Sequence, residues 1–438
     1  MSHGKPGPGP SAVSRRTVTA SAVLATALTA LGGGATQARA RERAAREQAA
    51  REQTAQAWAD SGGLVLRLPA PTGPYRIGAV TLHLVDRSRR DPWNPGIPVR
   101  ELMVTVFYPA RAVRAYPRAP HMTPAAARSF TVLGPAMRPQ LPRAGVDWAA
   151  TPTHAHLGAP AHPVPRPVLL YSPGGGDPRT LGTGLAEELA SRGHVVVTID
   201  HPGDASEVEF PTTTAYRDDV LRDTVLVKDP RTDPELFRTL IGTRVADTRF
   251  VLDRLEELAV GRNPDAAGRA LPLDLGRALD LRRVGIYGHS AGGTTAAQAM
   301  YEDDRVGAAV NLEGYLDHPA GAPGREGELF PVARDGVDRP LLLLGTDGFT
   351  DRKALERSWA AMLAHPRGST VRRQLDGAAH GVFTDYAAFV PRLQAAGLMT
   401  AEGRAELVGP LDPAVSVPAV RHHVAAFFGR HLGARRAQ

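Results

Sequence analysis

The sequence predicts an α/β protein in which a mostly parallel central sheet is covered by helices on both faces. Short apolar runs that fit buried strands alternate with helical patterns, and these runs occupy residues 168–171, 195–199, 284–287, 306–310 and 341–344. One helical pattern, over residues 244–260, places Val251, Leu255 and Leu258 on one face. Buried strands that alternate with helices form parallel sheets with both faces covered.

Further patterns flank this alternation. Two strand patterns precede it and one helical pattern closes it, at residues 80–84, 102–107 and 418–432. We therefore predict a folded catalytic domain over residues 74–438. Two segments have no place in the alternation and are predicted as insertions, at about 110–166 and 201–243. The second is expected near the strand ends, where α/β active sites lie.

The N-terminus predicts an export signal in residues 1–40. Arg15 and Arg16 precede an uncharged apolar stretch over 18–31, and Ala38-Arg39-Ala40 fits a cleavage site. The paired arginines resemble a twin-arginine signal. A bilayer span needs about 20 apolar residues, so we expect no stable membrane span, cleavage after Ala40 and a secreted protein.

Residues 41–73 are predicted as a helical or linker segment. The sequence Ala-Ala-Arg-Glu-Gln occurs at 44–48 and again at 49–53. This composition favours a helix, but it provides no apolar stripe that could pack against a core. A surface helix or a solvated linker fits both observations.

Composition excludes several classes of function. The 438 residues are 42% hydrophobic and 22% charged, which is ordinary for a globular protein. The net charge of +7 falls to +3 without the four basic residues of 1–40, and no basic stripe with aromatics indicates nucleic acid. The absence of cysteine excludes disulfides, thiolate catalysis and Cys-ligated zinc. Without an H-E-x-x-H or EF-hand motif we expect no metal or organic cofactor, and the oligomeric state stays open.

The segment Gly288-His289-Ser290-Ala291-Gly292 fits the G-x-S-x-G nucleophile elbow of the α/β-hydrolase fold. A strand pattern precedes it and a helix start follows, which is the context that this motif requires. A serine on so sharp a turn needs small residues two positions away, and it stands at a helix N-terminus that favours developing negative charge. The motif predicts Ser290 as the nucleophile. A glycine-rich turn without catalytic meaning is the alternative.

A second glycine-rich segment, Ser172-Pro173-Gly174-Gly175-Gly176, follows an earlier strand pattern directly. It lacks the G-x-x-x-x-G-K-[ST] pattern of a phosphate-binding loop. We predict instead an oxyanion hole formed by the backbone N–H groups of Gly175 and Ala291, because glycines let the backbone approach an acyl oxygen closely. A plain tight turn is the alternative.

The base and the acid of the predicted triad follow the nucleophile in the chain. His380 lies in a loop of small residues after a strand pattern at 371–375, and we predict it as the general base. Two carboxylates that follow strand patterns can orient its imidazole, Glu313 and Asp347. The order of elements alone slightly favours Asp347, which occupies the usual position for this fold.

The chain resembles the family of plasma-type platelet-activating-factor acetylhydrolases and their bacterial relatives over about residues 75–432. The resemblance rests on the elbow, on the glycine-rich loop and on six further segments, 189–197, 200–201, 302–305, 311–314, 377–380 and 383–385. Relatives tend to have His where this chain has Pro173. In that family the acid follows the strand after the nucleophile helix, where Asp is typical and Glu313 stands here. The resemblance therefore implies Glu313 as the acid.

The resemblance also implies calcium-independent hydrolysis of esters, including short or oxidised acyl chains on phospholipids. With the elbow, it predicts a secreted serine hydrolase that cleaves short-chain or phospholipid-type acyl esters through an acyl-enzyme on Ser290. The expected partner is a small-molecule or lipid ester. Two alternatives stay open: a secreted lipase or polyester hydrolase with a longer-chain preference, and a non-catalytic binding protein on a hydrolase scaffold.

Overall fold

The computed structural model describes residues 34–322, 325–350, 352–365 and 369–433, so residues 1–33 of the predicted export signal lie outside it. The helices within these ranges are α1 (Gly34–Asp60), α2 (Pro124–Met137), α3 (Thr183–Ser191), α4 (Pro234–Ala259), α5 (Ala291–Glu302), α6 (Pro331–Asp335), α7 (Arg352–Leu363), α8 (Tyr386–Ala395), α9 (Ala401–Val408) and α10 (Pro413–Leu432). The strands are β1 (Arg76–Asp86), β2 (Arg100–Ala110), β3 (Arg118–Pro120), β4 (Pro152–Leu157), β5 (Arg166–Ser172), β6 (Val195–Asp200), β7 (Glu207–Glu209), β8 (Leu221–Asp223), β9 (Leu279–His289), β10 (Val306–Leu312), β11 (Leu341–Thr346) and β12 (Thr370–Leu375).

Ten of the described strands form one sheet in the order β12-β11-β10-β9-β5-β6-β2-β1-β4-β3. The six strands from β12 to β6 are parallel, and β2 joins β6 in the antiparallel direction. The predicted α/β-hydrolase fold with a mostly parallel sheet is confirmed. Because β5, β9, β10 and β11 run in the same direction, their carboxyl ends meet at one edge of the sheet.

Helices cover both faces of the sheet. Successive side chains of a strand point to opposite sides, so neighbouring residues pack against different helices. Leu170 and Ile286 pack in the cluster that includes α4 and α5. Their neighbours Tyr171 and Tyr287 pack on the opposite face, in the cluster that includes α3 and α10. This double burial explains why these strands appear as continuous apolar runs.

Both predicted insertions contain regular structure. Residues 110–166 carry β3, α2 and β4, and residues 201–243 carry β7, β8 and the first turns of α4. α4 begins earlier than the pattern over 244–260 predicts. The side chain of Asp233 caps it by accepting hydrogen bonds from the N–H groups of Glu235 and Leu236, which stabilises a helix start ahead of the apolar stripe.

The chain divides into two units after Ala49. In the first unit, two i,i+4 ion pairs join the side chains of α1, Arg43–Glu47 and Arg46–Glu42. In the second unit, Leu66 and Leu68 are buried in a cluster with α2 and α8, so packed side chains occur ahead of residue 74. None of the helices within the described ranges is long and apolar enough to cross a membrane.

Candidate active site

Ser290 lies on a tight turn between the end of β9 and the start of α5. Its backbone has φ 54° and ψ −122°, in a region that non-glycine residues rarely adopt. The N–H of Ser290 donates to the carbonyl of Leu312 at 2.9 Å, which anchors the turn to β10. Strained backbone of this kind is retained where the surrounding structure holds it, often at functional sites.

The two glycines of the elbow are required by contacts with the backbone. A Cβ on Gly292 would lie 1.9 Å from the carbonyl oxygen of Ser172, and a Cβ on Gly288 would lie 2.1 Å from that of Gly292. Neither distance is sterically possible without moving the main chain. The elbow thus packs directly against the end of β5, where the glycine-rich loop starts.

His380 and Glu313 meet at the same edge of the sheet. Nδ1 of His380 lies 2.8 Å from Oε2 of Glu313. Glu313 follows β10 and is fully buried, and its Oε1 accepts hydrogen bonds from the backbone and hydroxyl groups of Thr346. The imidazole of His380 is 31% exposed. A buried carboxylate therefore holds an imidazole that solvent and substrate can reach.

Asp347, the alternative acid, does not contact the imidazole of His380. Its side chain is exposed, and Oδ1 lies 3.3 Å from the backbone N of Ala378. The N–H of Gly377 lowers the pKa of this carboxyl, and Ala378 adds to that effect. The structure therefore brings Glu313, and not Asp347, to the predicted base.

Gly175 lies beside Ala291, the first residue of α5. A Cβ built on Gly175 would be 3.7 Å from the Cβ of Ala291. Within the described part of the chain, no backbone carbonyl accepts the Gly175 N–H. The N–H of Ala291 belongs to the first turn of α5, where N–H groups have no acceptor inside the helix. Both groups are thus available to a ligand oxygen at the elbow.

His289 supports the loop that carries His380. Its Nε2 donates to the carbonyl oxygen of His380 at 2.9 Å. Burial, with a further effect of His380, lowers the pKa of His289 to about 4, so the ring is neutral at neutral pH. The ring therefore contacts both the backbone and the imidazole of the predicted base, with ring centroids 4.3 Å apart.

A second set of serine, histidine and carboxylate lies beneath the glycine-rich loop. Oγ of Ser172 is 3.0 Å from Nε2 of His201, and Nδ1 of His201 is 3.0 Å from Oδ2 of Asp247. Asp247 also accepts two hydrogen bonds from Arg100, and all four residues are fully buried. We call this set the buried relay.

The sequence reasoning did not identify the buried relay. Asp200-His201 entered only as part of the family resemblance. Asp247 lies in the middle of α4 and Arg100 starts β2, and no local motif joins them. The available signal was Asp247 itself, a charged residue on the apolar face of a predicted helix. Such residues are almost never buried without a partner, so its position indicates a buried cation or imidazole nearby.

A cavity of about 280 Å³ lies beside His380 and His289. Met137 and Arg138, at the end of α2, form one wall of it, and Phe349 forms another. The ring of Phe349 lies 4.8 Å from that of His380 and 5.5 Å from that of Tyr315. No cluster of metal-ligating side chains occurs in the part of the chain that the structure describes.

Arg138 gives this cavity a polar wall. Its guanidinium donates to Oδ1 of Asp177 at 2.8 Å. Burial opposes ionisation of Asp177, but Arg138, His289 and His380 together outweigh it and lower the pKa of the carboxyl. The pair is charged and internally balanced, so the cavity combines an aromatic side with a polar wall to which this pair adds no net charge.

Comparison with known proteins relates this site to esterases. Residues 148–437 match the family described as platelet-activating factor acetylhydrolase, isoform II. A probable 1-alkyl-2-acetylglycerophosphocholine esterase of Arthroderma benhamiae is 26% identical over 397 residues, which cover 85% of this chain and 90% of that protein. The platelet-activating factor acetylhydrolase of Cavia porcellus is 23% identical over 277 residues, 61% of this chain and 58% of that protein.

A solved structure extends this comparison to almost the whole fold. The ferulic acid esterase from Streptomyces cinnamoneus is 34% identical to this chain and superposes with a TM-score of 0.63. The match covers 85% of this chain and 95% of that structure.

Proposed function

Because the chain belongs to the platelet-activating factor acetylhydrolase, isoform II, family and is a carboxylic ester hydrolase, we propose that it cleaves esters through an acyl-enzyme on Ser290. The contact of 2.8 Å between His380 and the buried Glu313, next to the strained turn of Ser290, supports this mechanism most directly. This arrangement brings the proposed nucleophile, base and acid to one edge of the sheet.

Each residue has a defined step in this mechanism. Oγ of Ser290 attacks the ester carbonyl while His380 takes its proton, and the imidazolium is stabilised by Glu313. The N–H groups of Gly175 and Ala291 bind the oxyanion of the tetrahedral intermediate. His380 returns the proton to the leaving alcohol, and then takes a proton from the water that hydrolyses the acyl-enzyme.

Trapping the acyl group tests this proposal. Wild type, Ser290→Ala and Ser172→Ala are mixed with p-nitrophenyl acetate, quenched in acid and measured by intact-protein mass spectrometry. We expect one acetyl group on wild type and on Ser172→Ala and none on Ser290→Ala, because Ser172 is buried. Full turnover by a folded Ser290→Ala protein would refute the proposal.

The proposed substrates are short-chain or phospholipid-type acyl esters, after the acetylhydrolase names of the relatives. Rates with p-nitrophenyl esters from acetate to palmitate, and with an acetylated glycerophosphocholine, test this choice. A fall in kcat/KM with chain length supports it. A maximum at the long-chain esters would favour a lipase or polyester hydrolase instead.

An aromatic acyl group is the second candidate substrate. Tyr315 and Phe349 form an aromatic wall next to His380, and the similar solved structure is that of a ferulic acid esterase. Methyl ferulate tests it against p-nitrophenyl acetate. If the aromatic wall binds the acyl group, Phe349→Ala lowers kcat/KM for methyl ferulate much more than for the acetate; equal losses would contradict it.

Export is part of the proposal. The paired Arg15 and Arg16 and the apolar stretch after them support a twin-arginine signal in residues 1–40. In a host with this pathway, wild type should accumulate in the culture fluid, cleaved after Ala40. Replacement of both arginines by lysine should retain the protein in the cells; unchanged export would remove this part of the proposal.

A further inference from the structure

The peptide unit between Gly174 and Gly175 receives a hydrogen bond from a buried arginine. This unit contains the carbonyl of Gly174 and the N–H of Gly175, which the proposed function assigns to the oxyanion hole. Nη2 of Arg244 donates to the carbonyl oxygen of Gly174 at 2.9 Å. In a trans peptide the carbonyl and the N–H point in opposite directions. The bond from Arg244 therefore directs the Gly175 N–H away from Arg244.

Arg244 and Asp204 hold the loop on both sides of this peptide. Nη1 of Arg244 also donates to the carbonyl of Pro173, and Oδ1 of Asp204 accepts from the N–H of Gly176 at 3.0 Å. Nε of Arg244 donates to Asp204 Oδ2, which joins the two anchors into one unit. Each of these side chains is 1% exposed. The loop is thus fixed before a substrate arrives.

The contact between Arg244 and the Gly174 carbonyl has an electronic effect as well. A cationic donor strengthens a hydrogen bond about twofold over a neutral one. It draws electron density towards the carbonyl oxygen, and hydrogen-bonded groups in series polarise one another. The N–H at the other end of the same peptide unit becomes a stronger donor. Arg244 is almost fully buried, so this polarisation is little screened by solvent.

The geometry points to Arg244 as a positioning residue for ester hydrolysis, and we propose that it orients and polarises the Gly175 N–H of the oxyanion hole through the Gly174–Gly175 peptide. This inference rests on the proposed function of Gly175. Arg244 does not touch the substrate. Its effect appears in the transition state, where the oxyanion carries charge, and not in the ground state, where the ester carbonyl is neutral.

Arg244→Lys tests the inference, because it keeps the charge beside Asp204 but cannot supply the forked donors of a guanidinium. We expect kcat for p-nitrophenyl acetate to fall about 10- to 100-fold with KM changed less than about threefold, since loss of an oxyanion donor typically costs about 100- to 1,000-fold. The affinity for a trifluoromethyl ketone, whose adduct on serine carries an oxyanion, should fall by the same factor as kcat. A general loss of structure would not produce that agreement.

Arg421→Lys is the matched control. Arg421 is also a buried arginine that donates to backbone carbonyls, those of Pro69 and Ala70, but these lie outside the glycine-rich loop. It should keep kcat within about twofold of wild type. Arg244→Gln serves as a second variant, because it removes the charge and should lower kcat further than Arg244→Lys. Melting curves establish that each variant is folded.

The outcomes separate this inference from the proposed function. If Ser290→Ala is inactive while folded Arg244→Lys matches wild type in kcat and in ketone affinity, the role of Arg244 is refuted and the proposed mechanism stands. If KM rises and kcat does not change, Arg244 acts on substrate binding and the inference is wrong. If Ser290→Ala keeps full activity, the proposed function fails first.

Discussion

Two sets of serine, histidine and carboxylate lie near the same edge of the central sheet, and they differ in exposure and backbone strain. In the buried relay, Ser172, His201 and Asp247 are joined by two contacts of 3.0 Å and none of them is exposed. In the candidate triad, His380 and Glu313 are 2.8 Å apart and the imidazole is 31% exposed. Residue types and the distance between histidine and carboxylate therefore do not distinguish the two sets.

The backbone and the charges around each set do distinguish them. Ser290 has positive φ on a tight turn and is partly exposed, whereas Ser172 ends the regular strand β5 and is buried. Asp247 shares its charge with Arg100 and Arg89, so it neutralises cations as well as orienting an imidazole. Burial opposes its ionisation, but Arg100 and His201 outweigh burial and hold the pKa of Asp247 far below its usual value.

The largest expected difference between the two sets concerns the serines. Ser290→Ala should lower kcat about 10⁴- to 10⁶-fold, because the acyl-enzyme cannot form. Ser172→Ala should keep kcat within about threefold and cost about 1–3 kcal/mol of stability, because the buried imidazole of His201 loses its hydroxyl partner. Steady-state kinetics and urea unfolding measure both. Comparable kcat losses in the two variants would show that the buried relay takes part in the chemistry.

Replacing the acids sharpens the comparison. Glu313→Gln should lower kcat about 10³- to 10⁴-fold, because the amide cannot stabilise the imidazolium of His380. Asp347→Asn, the control, should change kcat less than about twofold, since Asp347 is exposed and its carboxylate accepts from the backbone N–H of Ala378. If Glu313→Gln keeps full activity and Asp347→Asn loses it, the acid is assigned wrongly.

The sequence predicted the fold because the relevant information is local. Apolar runs, an elbow motif and chain order were sufficient for the strands near Ser290 and for the choice of His380. The choice between Glu313 and Asp347 depended on the resemblance, because both carboxylates follow a strand and pattern cannot tell which of them turns towards the imidazole. In the structure Glu313 is buried and contacts His380, whereas Asp347 is exposed, which supports the choice that the resemblance implies.

Other parts of the site could not be predicted, since they depend on long-range contacts. Arg244 and Gly174 are 70 positions apart, and Arg100 and Asp247 are 147 apart. No motif spacing connects such pairs. The first turns of α4 were also missed, because its cap at Asp233 lies outside the apolar periodicity. The roles of Gly175 and Ala291 stay predictions, for which adjacency is the supporting geometry.

Within the buried relay, the carboxylate should matter more for stability than for catalysis. Asp247→Asn leaves Arg100 with less compensating charge in a fully buried position, and breaking a buried pair in this way costs about 3–5 kcal/mol. The exposed pair of Arg334 and Asp335 provides the control, and Asp335→Asn should lower the free energy of unfolding far less than Asp247→Asn does. Urea unfolding measures both. Equal losses of stability would mean that the buried carboxylate of Asp247 stabilises the protein no more than an exposed ion pair does.

The smallest expected effect is the pH dependence that His201 gives to folding. Burial lowers the pKa of His201, so below the ordinary imidazole pKa of about 6.5 the unfolded chain binds a proton that the folded protein does not, and stability falls as the pH falls. Between about pH 7.5 and pH 5.5, His201→Asn should therefore lose up to about 1.4 kcal/mol less stability than wild type.

Ser172→Ala is the control for this measurement, because it keeps the imidazole of His201 and its contact with Asp247 while removing the hydroxyl on the other side. It should retain the pH dependence of wild type in urea unfolding at each pH. If His201→Asn and wild type lose the same stability over this range, His201 does not titrate differently in the folded and unfolded states. Burial of the imidazole in the buried relay would then carry no electrostatic cost.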